Sequence, residues 1–190
     1  MTQQRTGMRE RILDVALELF NDQGYEATSL REIAERLGVT KAALYYHFKS
    51  KADILLALHL RLHELGAGVL DELDSLADER EAVAAWPHLV DRLIDEVMAN
   101  RDLFLVHQRN QQAFEQVANT EEHRQANDDI EQRFRRVIAS SAIPLADRVR
   151  MACSVGAVMV GLMGADVIFG DEPPERVAEL VRSTVHEMFR

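Results

Sequence analysis

Within eleven residues, Lys41 to Lys51, the chain carries all three of its lysines, Lys41, Lys49 and Lys51, with the phenols of Tyr45 and Tyr46 and the imidazole of His47. No carboxylate interrupts them. Such a set suits an anionic polymer, because lysines neutralise phosphates and tyrosine hydroxyls donate to phosphate oxygens. The whole chain carries a net charge of -10, which opposes such a partner. The charge is unevenly placed, however. Residues 1–51 hold 8 Lys and Arg against 7 Asp and Glu, which leaves 14 against 25 for residues 52–190. A polyanion is therefore expected at the N-terminal segment, with the acidic remainder turned away.

The elements that must position these groups are short helices. Ile12, Val15, Ala16, Leu19 and Phe20 recur at three and four, the period of an amphipathic helix, which Gly24 ends. Leu30, Ile33, Ala34 and Leu37 give a second helix, starting at Thr28 or Ser29. Ser29 with Glu32 forms a capping box, and Gly38 closes the helix. A third helix runs from near Thr40 to Phe48, and Ser50 with Asp53 caps a long fourth one. On a wheel of about 100° per residue, Leu44 and Phe48 point toward helices 1 and 2, and Ala42, Ala43 and Tyr46 point away. Thr40, Lys41, Tyr45 and His47 flank that outer face. Alanines let a helix backbone approach a major groove closely, and helix starts at Thr28 or Ser29 and at Ser50 offer amides to phosphates. Half-buried tyrosines on a merely solvated face would give the same pattern. The preceding helix and the turn at Leu37-Gly38-Val39 favour a helix-turn-helix, whose second helix enters the groove.

The stretch Thr28 to Leu55, TSLREIAERLGVTKAALYYHFKSKADIL, closely resembles the DNA-binding segment of the tetracycline-repressor (TetR) family of bacterial transcription regulators. Gly24-Tyr25, Thr28, Ile33-Ala34, Gly38-Val39, Leu44 to Phe48 and Lys51 stand at the family's spacing. The resemblance covers roughly residues 8–60 and shows no departure there. It implies phosphate contacts from Thr28, Ser29 and Lys51. It likewise implies base or backbone contacts from Arg31, Thr40, Lys41, Ala42, Tyr45, Tyr46 and His47.

Past Ser50 the pattern predicts helices only, at about 50–77, 81–99, 102–117, 121–140, 145–169 and 174–189. The expected fold is all-α: a three-helix DNA-binding head, residues 1–50, on a larger helical body for effector binding and dimerisation, residues 51–190. Length and helical pattern of the body are similar to the same family's architecture. A content of 47% hydrophobic and 28% charged residues is that of an ordinary globular chain. The single Cys153 excludes an intramolecular disulfide, and a polar N-terminus without an apolar core predicts a cytoplasmic protein.

Met151 to Phe169 is apolar nearly all round and studded with Gly156, Gly161, Gly164 and Ala165. The run breaks at Asp166, too soon for the roughly twenty residues of a membrane span, so no membrane partner is expected. It reads as a buried helix that forms, with the final helix, a two-fold homodimer interface; a monomer core is the competing reading. The resemblance points to the same two helices. Cys153 is expected as an inert buried thiol within it. Ligand contacts are expected from Trp86, Met98, Phe104, His107, Asn110, Gln111, Phe114 and Met159, an apolar set with a few polar groups, although core packing explains each apolar member equally well.

These features predict a ligand-responsive regulator, in this family most often a repressor, binding double-stranded operator DNA and released by a small, largely apolar effector, with no cofactor. A helical enzyme is the rival. The chain has no nucleophile elbow, no HExxH and no phosphate loop. A metal-responsive sensor would use His59 and His63, four apart beside Glu64, yet no third ligand is visible. Asp128-Asp129-Ile130-Glu131 reads as the wet face of a helix rather than a magnesium site.

Overall fold

Apolar residues spaced at three and four become helix throughout. The computed structural model describes residues 2–76, 78–117, 121–164, 168–170 and 172–190, and the side chains of all of these except 2–6, 79, 115–117, 121–127, 131 and 163. The helices are α1 (Thr2–Gln23), α2 (Leu30–Leu37), α3 (Lys41–His47), α4 (Lys51–Asp74), α5 (Glu79–Ala99), α6 (Arg101–Arg109), α7 (Gln111–Val117), α8 (Glu121–Ile138), α9 (Leu145–Val158) and α10 (Pro174–Met188). Among the described residues there is no strand. The all-α expectation therefore holds.

The chain divides into two units, Met1–Leu62 with Asp102–Arg124 and His63–Arg101 with Gln125–Arg190. In the first, Ile12, Leu13, Ala16 and Phe20 of α1 are buried with Ile33, Leu44, Phe48, Ile54, Leu55 and Leu58. Each such side chain removed from water contributes about 1.5–3 kcal/mol, which outweighs the weak propensity of seven- and eight-residue helices. Phe20 meets Tyr25 edge to face at 5.1 Å. Residues 102–124 join this unit although they lie far along the chain. Asn21 Nδ2 donates to the Asp102 carbonyl at 3.1 Å, and Leu103, Phe104, Val106 and Phe114 are buried. The packing unit is thus larger than the three-helix head expected at residues 1–50.

The helix expected over 102–117 breaks at Asn110. The Asn110 side-chain amide donates to the Val106 carbonyl at 2.7 Å, and its backbone N–H bonds His107 in a tighter turn at 3.2 Å. A short polar side chain competing for backbone groups ends α6, and α7 restarts after it.

In the second unit α5 packs on α9 and α10. Leu89, Val90, Ile94 and Val97 are buried, as are Met151, Val158, Val177 and Val185. Arg182 bridges Asp91 at 3.0 Å and Asp95 at 2.6 Å, tying α10 to α5. The helix expected over 145–169 is α-helical only to Val158 and continues as a π-helical turn, Met159–Met163. Ala165 and Asp166 lie outside the described residues.

Candidate nucleic-acid interface and ligand cavity

Two caps and one left-handed glycine set the reading helix. The Ser29 N–H donates to Glu32 Oε2 at 2.7 Å while the Glu32 N–H donates to Ser29 Oγ at 3.2 Å, so the N-cap of α2 is Ser29 rather than Thr28. Hydrogen bonding to the Glu32 carboxyl, from the Ser29 hydroxyl first and the Ser29 N–H second, holds it below the usual carboxylate range. Gly38 ends α2 at φ 68°, a conformation costly for any residue with a Cβ. Thr40 then caps α3 by accepting from the Ala43 N–H at 3.2 Å.

This places α3 as its wheel predicts. Leu44 and Phe48 are buried, and Ala42, Ala43 and Lys41 are exposed. Tyr46 is 59% exposed. Tyr45 and His47 are half-buried beside it. The Lys41 ammonium lies 5.4 Å from the Tyr45 ring centroid, and the Tyr46 and His47 rings meet edge-on at 5.3 Å. Arg31 pairs with Glu35 at 2.7 Å, and both side chains are exposed; an exposed pair of this kind is weak, so the guanidinium can exchange its partner for a phosphate. A cation, two phenols and an imidazole thus share one outward face around small residues.

Two of the expected phosphate contacts are committed elsewhere. Thr28 is buried, and its hydroxyl donates to the Gly24 carbonyl at 2.8 Å. The Lys51 ammonium donates to the carbonyls of Tyr25 at 2.5 Å and Glu26 at 3.2 Å and lies 4.1 Å from the Tyr25 ring centroid. Both residues brace the turn between α1 and α2. Burial, helped by the Glu26 carboxylate, raises the Tyr25 phenol above its usual range. Lys49, not anticipated as a contact, bonds the Tyr45 carbonyl at 3.0 Å at the end of α3.

Of the expected ligand residues, Trp86, Met98 and Met159 belong to the second unit and Phe104, His107, Asn110, Gln111 and Phe114 to the first. Phe104 and Phe114 are buried in the first unit, where the His59 and His107 rings stack at 4.8 Å with Nδ1 atoms 3.1 Å apart, both against Phe114. Asn110 is spent on its own helix end, Gln111 is exposed, and Met98 is half-buried. Trp86 and Met159 line a cavity of about 380 Å³ in the second unit. Its other walls are Gly66, Val69, Leu70 and Leu73 of α4, Leu89, Val90 and Leu93 of α5, Ile130 and Phe134 of α8, and Val155 of α9. Sequence reading missed these. Their signal was present: apolar positions at i, i+3, i+4 and i+7 on α4 and α5, with a glycine on the α4 stripe.

The α9 segment is only partly buried within the single chain. It is not buried all round: Val149, Cys153 and Val160 are exposed, and so is Leu180 of α10. Gly161 serves the chain itself, since a Cβ there would stand 2.6 Å from Val181 Cγ2 of α10; Gly156 faces open space. Cys153 is accordingly an exposed thiol, not a buried one.

Among the described residues, no three His, Cys, Asp or Glu side chains are grouped to hold a metal ion, and no helix is long and apolar enough to cross a membrane. The Glu131 side chain of the acidic cluster lies outside the described set.

Residues 12–58 match the family model of bacterial regulatory proteins, tetR family. The head belongs to the tetR family. The HTH-type transcriptional regulator AcrR of Shigella flexneri is 48% identical over 66 residues, 35% of this chain and 29% of that protein. Such matches span between 23% and 62% of the curated relatives' lengths. Solved structures extend the likeness of fold over the whole chain. Mycobacterium smegmatis AmtR is 26% identical with a TM-score of 0.66, covering 95% of this chain and 85% of that one. The structure of a SmeT-triclosan complex is 22% identical with a TM-score of 0.64, covering 95% and 90%. A TetR-type head is therefore joined in this chain to a body that shares the fold of these structures and little of their sequence.

Proposed function

We propose that the protein is a homodimeric, ligand-responsive transcriptional regulator of the cytoplasm, a repressor that leaves its operator when a small, largely apolar effector binds. The outward face of α3 carries this reading: Lys41, Ala42, Ala43 and Tyr46 exposed on a TetR-type head, with the acidic remainder of the chain elsewhere. Ser29, Arg31, Thr40, Lys41, Ala42, Tyr45, Tyr46 and His47 contact DNA, while Thr28 and Lys51 hold the turn that aims them.

A lone head reads few base pairs, so such heads act in pairs on half-sites about 34–36 Å apart or a multiple of it. The exposed apolar side chains of α9 and α10 supply the surface for pairing. The cavity supplies the effector site. Its α4 wall belongs to the same continuous helix whose Ile54, Leu55 and Leu58 are buried in the first unit, so an effector that shifts α4 disturbs the spacing of the heads. Coupling of this kind is typically about 1–3 kcal/mol and reciprocal, so operator DNA weakens effector binding by the same factor.

The test is fluorescence anisotropy of the protein with DNA from upstream of its own gene and with scrambled DNA, at several salt concentrations. Binding that is tight, salt-dependent and selective is expected. Equal affinity for both DNAs, followed by failure of a random-site selection to enrich any sequence, would overturn the reading.

A further inference from the structure

The described lining of the second unit's cavity offers no partner to a charge. Among the described residues of its lining, the single N–H or O–H side-chain group is the Trp86 indole N–H. That group is spent: Nε1 donates to Ser154 Oγ at 2.8 Å, and the Ser154 hydroxyl in turn donates to the Met151 carbonyl at 2.7 Å, all within buried residues. The cations flanking the lining positions are spent as well. Arg133, next to Phe134, forks onto Asp71 at 2.6 Å and Asp74 at 2.7 Å. Arg92, next to Leu93, bonds Glu72. The acids Asp71, Glu72 and Asp74, which could have met an ammonium, are the partners of those same arginines.

We infer that the cavity admits only uncharged apolar molecules, recognised by shape, and rejects any ligand whose ionised group must enter with the hydrocarbon. A buried charge without a partner loses its hydration and gains nothing in return, whereas an apolar group gains with every Å² removed from water. Gly66 sets the room available. It stands on the α4 stripe that runs over about 10 Å to Leu73, and a Cβ built on it would meet Ile130 Cδ1 at an ordinary 3.7 Å. Alanine therefore fits without strain, and a longer side chain at this position projects into the cavity.

This inference rests on the proposed effector site but can fail separately from it. Trp86 is the chain's sole tryptophan and part of the cavity wall, so its emission reports occupancy directly. The probes are three compact cages of one hydrocarbon: adamantanol, adamantane carboxylate and adamantyl ammonium. Adamantanol is expected to change Trp86 emission saturably, with at least tenfold tighter binding than either ion. Gly66→Leu should abolish that change while Gly66→Ala retains it, with helical circular dichroism intact in both. A carboxylate or an ammonium that binds as tightly as the alcohol overturns the inference, as does an alcohol that does not bind or binds Gly66→Leu undiminished. Adamantanol that binds selectively yet leaves the anisotropy of the DNA complex unchanged supports the ligand chemistry and refutes the effector role.

Discussion

The Lys51 ammonium sits 2.5 Å from the Tyr25 carbonyl oxygen and 4.1 Å from the centroid of the Tyr25 ring. A lysine at the start of α4 is thereby used to close the turn between α1 and α2, twenty-six residues earlier. Its side chain is only 21% exposed, so the charge is held by carbonyl dipoles and a ring face rather than by water. Lys51→Met should destabilise the first unit by about 1.5–3 kcal/mol, the range for hydrogen bonds to a charged group. Urea unfolding followed by circular dichroism checks this. If stability is unchanged while the salt dependence of DNA binding falls, Lys51 is a phosphate contact after all.

Lys41 and Tyr46 should behave in the opposite way. Both are exposed, and Tyr46 is 59% so; surface substitutions of this kind usually alter stability by less than about 0.5 kcal/mol. Lys41→Ala is expected to weaken binding to all DNA and to lower the salt slope by about one, whereas Tyr46→Ala should cost roughly 1–3 kcal/mol and fall more heavily on the specific site. Anisotropy titrations on specific and scrambled DNA separate the two.

Phe104 looked from sequence like a ligand contact, yet it is 8% exposed in the first unit, apart from the cavity lining. Phe104→Ala should therefore cost about 3–5 kcal/mol of stability through the void it leaves, with no change in the adamantanol titration of Trp86 under conditions where the protein stays folded. A lost titration at full helicity would return Phe104 to the effector site.

Arg133 holds α8 to α4. Its side chain is 11% exposed and its planar fork satisfies two carboxylates one helical turn apart. Lysine cannot reproduce that geometry. Both Arg133→Lys and Arg133→Met should speed hydrogen exchange in residues 128–138, which carry Ile130 and Phe134 of the cavity wall, while α2 and α3 exchange as before. Unaltered protection in α8 would mean that apolar packing alone holds it.

Val160 and Leu180, 60% and 57% exposed, test the dimer. Val160→Arg with Leu180→Arg should leave a folded chain that sediments as a monomer, because like charges facing each other across a two-fold axis repel. A double variant that remains dimeric would place the interface elsewhere.

The head was legible in the sequence because its determinants are local. Ser29 with Glu32, Gly38, Thr40, and Ser50 with Asp53 each act within four residues, and a short helix with one buried stripe has its outer face decided by the wheel. Even there, the bonds of Thr28 and Lys51 were not legible, since what occupies a hydroxyl or an ammonium depends on carbonyls the turn brings near. In the body the sequence by itself determined that the chain is helical and which residues are apolar. It could not determine which apolar residues share a core, because Phe104 and Trp86 have the same periodic surroundings and differ only in the unit that their helices join. Only the tertiary structure decided that Cys153 faces outward, and that Gly66, Trp86 and Phe134 enclose one space. Those outcomes depend on contacts between helices distant in the chain, and burial is a property of such contacts rather than of any stretch of residues.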